Sequence, residues 1–159
     1  FMLTLYWVEL SPLGSEALKQ YNGGYGTFDM KSYDAATVEQ ILSIMQPQGF
    51  KLYMEYLVGD YLFILTFGTL QFTLLIMLYS WMKPSAVKKA ILCVPILRGV
   101  CDFVENTLLC IILKTYPIFH PNLVRISSNA TFLKLMLIKL WIILLLAGIA
   151  MSIRKQNVK

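Results

Sequence analysis

The stretch whose reading decides the fold is Ala90 to Leu113, AILCVPILRGVCDFVENTLLCIIL. It meets the length of about 20 mainly apolar residues that a membrane helix needs, yet it contains Arg98, Asp102, Glu105 and Asn106. At about 100° per residue, with Arg98 at zero, Asp102 falls at about 40°, Glu105 at about −20° and Asn106 at about 80°. These four share one face, and Val100, Thr107 and Ile111 occupy the opposite one. A charge at the centre of a bilayer costs about 2.5–3.5 kcal/mol on insertion scales. A helix that gathers its polar residues into one stripe therefore turns that stripe toward other helices.

Working outward, Leu57 to Met82 and Phe132 to Ile153 have the same length and character, with Asp60 near the start of one and Lys134 and Lys139 inside the other. FMLTLYWVEL is apolar but too short to cross. Residues 1–10 read as the end of a first membrane helix that begins before Phe1, with a cleaved signal peptide as the alternative. The expected fold is all-α: a polytopic membrane protein, one transmembrane domain over 1–159, built as a four-helix transmembrane bundle. Composition agrees. Hydrophobic residues make up 57% and charged residues 14%, against roughly 45–50% and about 25% in soluble domains. A disordered tail, a collagen-like fibre and an ordinary soluble enzyme are excluded.

The connections set the expected topology. Loop 83–89 carries Lys83, Lys88 and Lys89, and tail 154–159 carries Arg154, Lys155 and Lys159. Positive charge beside membrane helices stays inside, so both termini and loop 83–89 are expected on the cytoplasmic, or matrix-equivalent, side. The longer segments 11–49 and 114–131 then face outward. The first of these contains a glycine-rich turn, YNGGYGT at Tyr21–Thr27, and a short amphipathic outer helix over 35–45. Asp34 is its N-cap, and Val38, Ile41, Leu42 and Met45 recur at helical spacing. Pro47 and Gly49 are expected to end it. The net charge of +5 does not indicate nucleic acid, because the basic clusters flank apolar runs and no recognition motif accompanies them. The lipid bilayer is the expected environment.

The other helices carry matching polar stripes. With Asp60 at zero, Tyr53 and Gln71 lie at about 20° and Tyr56 at about −40°. On the last helix Ser127, Thr131 and Lys134 share a face, continued by Trp141, while Lys139 lies about 140° from Lys134 and must reach toward another subunit or an interface. Measured from the cytoplasmic ends, Asp60 is about 33 Å away, Lys134 about 28 Å, Glu105 about 24 Å, Asp102 about 20 Å and Arg98 about 14 Å. The candidate site is the cluster Asp60, Arg98, Asp102, Glu105, Asn106 and Lys134, with Tyr53, Tyr56, Gln71 and Thr131 as outer aromatic and polar support. Arg98 and Asp102 form an i, i+4 pair, and Asp60, Glu105 and Lys134 come within reach of one another. Three acids (Asp60, Asp102, Glu105) balance three bases (Arg98, Lys134, Lys139).

No metal site and no cofactor are expected. His120 is the only histidine and lies in a loop. Cys93, Cys101 and Cys110 lack the two-residue spacing of redox or zinc motifs and read as small buried hydrophobes. No catalytic triad or phosphate-binding loop is present.

The run GGYGTFDMKSYDAATVEQILSIMQPQGFKLYMEYLVGDYLF, with DFVEN and TFLK further on, resembles a pattern in uncharacterised small four-helix integral membrane proteins. The resemblance implies that fold and a shared set of Asp29, Tyr33, Gly49, Tyr53, Asp60, Asp102, Glu105, Asn106, Thr131 and Lys134. It implies no activity. Vitamin K epoxide reductase-like proteins need a CxxC, which is absent, and the likeness to eicosanoid and glutathione membrane enzymes stops at size. The sterol-isomerase-like fold shares only intramembrane acids with aromatics.

Three functions fit these residues. The first is a non-catalytic subunit or accessory factor of a membrane complex, with partner membrane subunits or a second copy. The second is a small ligand-binding, ion-binding or transport protein whose polar site opens outward. The third is an intramembrane enzyme on a lipid-like substrate, with Asp102 or Glu105 as acid or base.

Overall fold

The computed structural model describes residues 1–156, the last two by backbone alone; the end of the expected tail, 157–159 with Lys159, lies outside the described residues. Every regular element among the described residues is helical: α1 (Met2–Leu10), α2 (Ser15–Leu18), α3 (Ala35–Ile44), α4 (Pro47–Leu78), α5 (Ala86–Thr115) and α6 (Pro121–Gln156). Helices α4 and α6 are long and apolar enough to cross a membrane. Helix α5 is similar in length but carries its charges in the middle, and α1 has only nine residues.

Prolines and caps set the boundaries. Asp34 caps α3 by accepting from the Thr37 N–H at 2.8 Å, as its position in the sequence predicts. Met45 and Gln46 are extended, and Pro47 sits in the first turn of α4. Pro47 thus ends one helix and starts the next, because its fixed φ suits a first turn and its ring disfavours helix in the residue before it. The outer segment expected to run to residue 49 is therefore shorter. Pro121 opens α6 in the same way, so 121–131 is helix where a loop is expected and the connection shrinks to residues 116–120. At the other turn α4 stops at Leu78, before the expected Met82, and the Ser85 hydroxyl caps α5 by accepting from Lys88 N–H at 3.2 Å.

Helices α4, α5 and α6 pack on one another, and α1 lies along α4. Phe1 stacks on Phe67 with ring centroids 5.4 Å apart, Thr4 and Thr66 share a hydroxyl contact of 2.8 Å, and Trp7 covers Gly59. One end of the long helices is capped by segment 19–34 and by α3, which sets Val38, Ile41 and Leu42 inward. The glycine-rich turn makes this cap feasible. Gly23, Gly24 and Gly26 have φ of 67°, 83° and 83°, conformations that side-chain-bearing residues rarely adopt. Asn22 clasps the turn by donating to Gly26 O at 2.6 Å and accepting from Gly26 N–H at 3.0 Å. The opposite end is closed by Leu75, Tyr79, Val94 and Trp141. The cysteines are free thiols, but Cys93 is exposed and the other two only half-buried, against the expectation of burial.

Candidate functional site

The helical repeat brings the polar residues of α5 onto a buried stripe. Arg98, Asp102, Glu105 and Asn106 are each at most 3% exposed. Helix α6 answers with Ser127, Thr131 and Lys134, and α4 with Asp60, all buried. This is the clustering that the wheel arithmetic predicts.

Its central part is a continuous chain of charges. The Arg98 guanidinium donates to Asp102 Oδ2 at 2.5 Å, and Lys134 Nζ donates to Asp102 Oδ1 at 3.0 Å. The same ammonium is 2.6 Å from Glu105 Oε2, a second buried ion pair. The Thr131 hydroxyl donates to Glu105 Oε1 at 2.5 Å and lies 3.1 Å from the Ser127 carbonyl, so one proton serves two acceptors. Arg98 spreads over the Phe67 ring at 4.7 Å, a favourable cation–π position.

Asp60 does not join Lys134 as expected. It accepts from the Asn106 amide at 2.7 Å, and no cation pairs with it among the described residues. Lys134 is instead held between Asp102 and Glu105, because those two acids bracket it one helical turn apart on α5. Lys139 lies off the cluster as its angle from Lys134 requires, exposed and contributing no charge to it. One further expectation, that for Gln71, needs correcting. Gln71 gives no outer support. It is buried toward the opposite end of α4, about 16 Å along the helix from Asp60, where Trp141 Nε1 donates to its main-chain carbonyl at 3.3 Å. Its side-chain amide finds no partner among the described residues, and neither do Arg98 Nε and Nη1 or Asn106 Oδ1.

Tyr53 and Tyr56 do support the capped end, by holding the cap. Tyr53 OH accepts from Phe28 N–H at 2.8 Å, and Tyr56 OH donates to Asp29 Oδ2 at 2.7 Å. Asp29 also accepts from the Thr27 hydroxyl and is 6% exposed. Through Tyr56, one helical turn from Asp60 on α4, it adjoins the cluster. Reading the spans alone leaves Asp29 out, because it sits in a loop; it enters only through the resemblance pattern.

Tyr33 links the cluster to the surface. Its hydroxyl is 2.6 Å from Ser127 Oγ and lies beside Thr131 and Glu105, while its main-chain N–H donates to Ser128 Oγ at 3.1 Å. Burial, reinforced by the Glu105 charge, pushes the Tyr33 hydroxyl above its ordinary range, so it keeps its proton. Tyr33 also lines a surface pocket of about 380 Å³ with Asp34, Arg125, Ser128 and Asn129.

Four buried carboxylates (Asp29, Asp60, Asp102, Glu105) therefore face two buried cations (Arg98, Lys134). No group of His, Cys, Asp and Glu among the described residues has the geometry of a metal site. Comparison of the chain with protein-family models, curated proteins and solved structures finds no match, so the site is read from its own geometry.

Proposed function

We propose that this chain is an integral membrane protein in which α1, α4, α5 and α6 form a four-helix transmembrane bundle, and that its buried acid-rich cluster binds and releases protons from the capped end. The membrane reading is supported by an inverted distribution of polarity. Leu65, Ile143 and Leu146 are 60–67% exposed on the long helices, while the charges lie inside. A soluble protein of this size rarely shows so extended an apolar surface. Both ends of the chain face the cytoplasmic or matrix-equivalent side in this reading, following the lysine-rich turn.

The observation that carries the proton reading is the unequal count of buried charges. An uncompensated charge in a dry interior is costly, and two of the four acids have no cation to neutralise them. The cluster is closely packed and at most 6% exposed, which favours the smallest cation. Asn106 suits such a site. Its N–H donates to ionised Asp60, and the unpartnered Oδ1 accepts from protonated Asp60 once the amide turns about its last bond. Tyr33, Ser127 and Thr131 offer hydroxyls between the outer pocket and Glu105. The apolar closure by Leu75, Tyr79, Val94 and Trp141 makes this a one-ended site rather than a through-pathway.

The test is proton release from the protein in lipid nanodiscs, read with an indicator dye and with the infrared carboxylic-acid band as the pH is raised. Asp60→Asn should remove one released proton, and Tyr33→Phe should slow release without changing its amount. A titration identical in the parent, Asp60→Asn and Glu105→Gln would sink the reading. Membership of a larger membrane complex is a second reading, favoured by the exposed Lys139.

A further inference from the structure

Lys139 sits where a lone charge is least expected. It is the only charged residue between Lys134 and Arg154. Arg125 and Arg154, toward the two ends of α6, are about 21 and 22 Å away along the axis, farther than a lysine stem reaches. Its side chain is exposed, and no hydrogen bond or ion pair is formed by it among the described residues. Its neighbours on the same face are Phe132, Met136, Ile143, Leu146 and Ala150, all exposed. Their spacing alternates four and three residues, the repeat by which one helix packs along another. The buried seam of α6, through Val124, Ser127, Thr131, Lys134 and Trp141, is a separate stripe. Helix α6 thus has one seam filled by its own chain and a second seam with a cation at its centre.

We infer that the Lys139 face of α6 binds a transmembrane helix of another protein that carries a carboxylate at the same depth. Charge complementarity selects this occupant. A lysine in hydrocarbon is strongly disfavoured unless it is paired, and a single polar residue at the centre of a helix seam specifies its partner. A second copy of this chain cannot supply the acid. Asp60, Asp102 and Glu105 are buried in each copy, and the more accessible acids lie away from the middle of the long helices: Glu9 in the last turn of α1, where it accepts from Ser15, Glu16 in α2, Asp34 and Glu39 at α3, and Glu55 in the first turns of α4. The inference rests on the reading of α6 as a membrane span.

The test uses the full chain reconstituted in phosphatidylcholine vesicles with synthetic leucine-rich membrane helices, one with a single central Glu and one with Gln in its place. Association is read by energy transfer between labelled protein and labelled peptide. The Glu peptide should bind about tenfold more tightly than the Gln peptide, the size of one polar contact between membrane helices. Lys139→Leu should abolish that preference and Lys139→Arg should keep it. Equal binding of the two peptides, or an undiminished preference in Lys139→Leu, overturns the inference. Self-association of the parent that is lost in Lys139→Leu also overturns it, in favour of a second copy. Alkaline washing separates the two failures: a protein stripped from the vesicles refutes the span reading and this inference with it, and a protein that stays inserted without preference refutes the inference alone. Lys139 is exposed and forms no hydrogen bond or ion pair among the described residues, so neither variant should disturb folding.

Discussion

Replacing Lys134 with methionine tests the core of the charge network. Lys134 is held 3.0 Å from Asp102 and 2.6 Å from Glu105, with its side chain 5% exposed. Its removal leaves Asp102 with Arg98 but leaves Glu105 with only the Thr131 hydroxyl. Breaking a buried pair by deleting one partner costs about 3–5 kcal/mol, chiefly because a charge stays buried without compensation. At about 2–4 °C per kcal/mol for a chain of this size, the melting temperature should fall by roughly 6–20 °C. The assay is thermal unfolding in a fixed lipid–detergent mixture, followed by fluorescence of Trp7, Trp81 and Trp141. The deciding comparison is Lys134→Met combined with Glu105→Gln. The amide removes the orphaned charge while it can still accept from Thr131, so the double variant should be more stable than Lys134→Met alone. Coupling on the order of 2 kcal/mol is expected for residues in direct contact. Strictly additive losses, or a single substitution that costs less than about 1 kcal/mol, would refute the reasoning that Lys134 compensates two buried acids.

Other substitutions probe the frame around the site. Gly49→Ala would place a methyl group 2.7 Å from Tyr21 Cβ and 2.9 Å from Met45 Cγ, and should cost about 1–3 kcal/mol by overpacking. Gly68→Ala meets nothing within 4 Å and should stabilise α4 by about 0.5–1 kcal/mol through helix preference; both follow from the same unfolding assay. Ser127→Ala removes the partner of the buried Tyr33 hydroxyl and should cost about 1–3 kcal/mol, with faster hydrogen exchange in the cap. The Thr37 contact holds the Asp34 carboxyl below its ordinary range. Its capping of α3 is therefore complete above the ordinary carboxyl value and is lost as pH falls through the lowered one. Hydrogen exchange of the α3 amides should show that loss in the parent and no such pH dependence in Asp34→Ala.

The polar stripe of α5 was legible in the sequence because helical geometry alone fixes which residues share a face. The pairing Arg98–Asp102 follows from spacing on one helix, and the meeting of Glu105 with Lys134 from matching depths. What the stripe does not carry is the choice among neighbours. Asp60 takes Asn106 rather than Lys134 because register between helices is set by packing of Gly99 against Ile64 and of Tyr61 against Phe103, which no single helix encodes. Gln71 shares an angle with Asp60 but not a depth, so an angular reading alone overcounts it. Asp29 was hidden for the opposite reason. It lies in a loop whose path depends on three left-handed glycines and an asparagine clasp, and periodicity says nothing about where such a loop lands. Helix starts are harder to read than stops: Pro47 follows the end of α3 and also opens α4, and Pro121 opens α6 inside a segment whose composition suggests a loop.

The cap has a consequence for the order of assembly. Tyr33 belongs to the first quarter of the chain, yet its hydroxyl and main-chain contacts are with Ser127 and Ser128, 94 and 95 residues later. Synthesis runs from the amino terminus, so these contacts cannot form until α6 has emerged and docked. Until then Tyr33 lacks these partners, and the segment is held by the Asn22 clasp and by Tyr53 and Tyr56 of α4 alone. Closure of the capped end thus waits for α6. Resistance of residues 19–34 to a protease should rise once α6 is in place, which makes this segment a built-in marker of α6 docking.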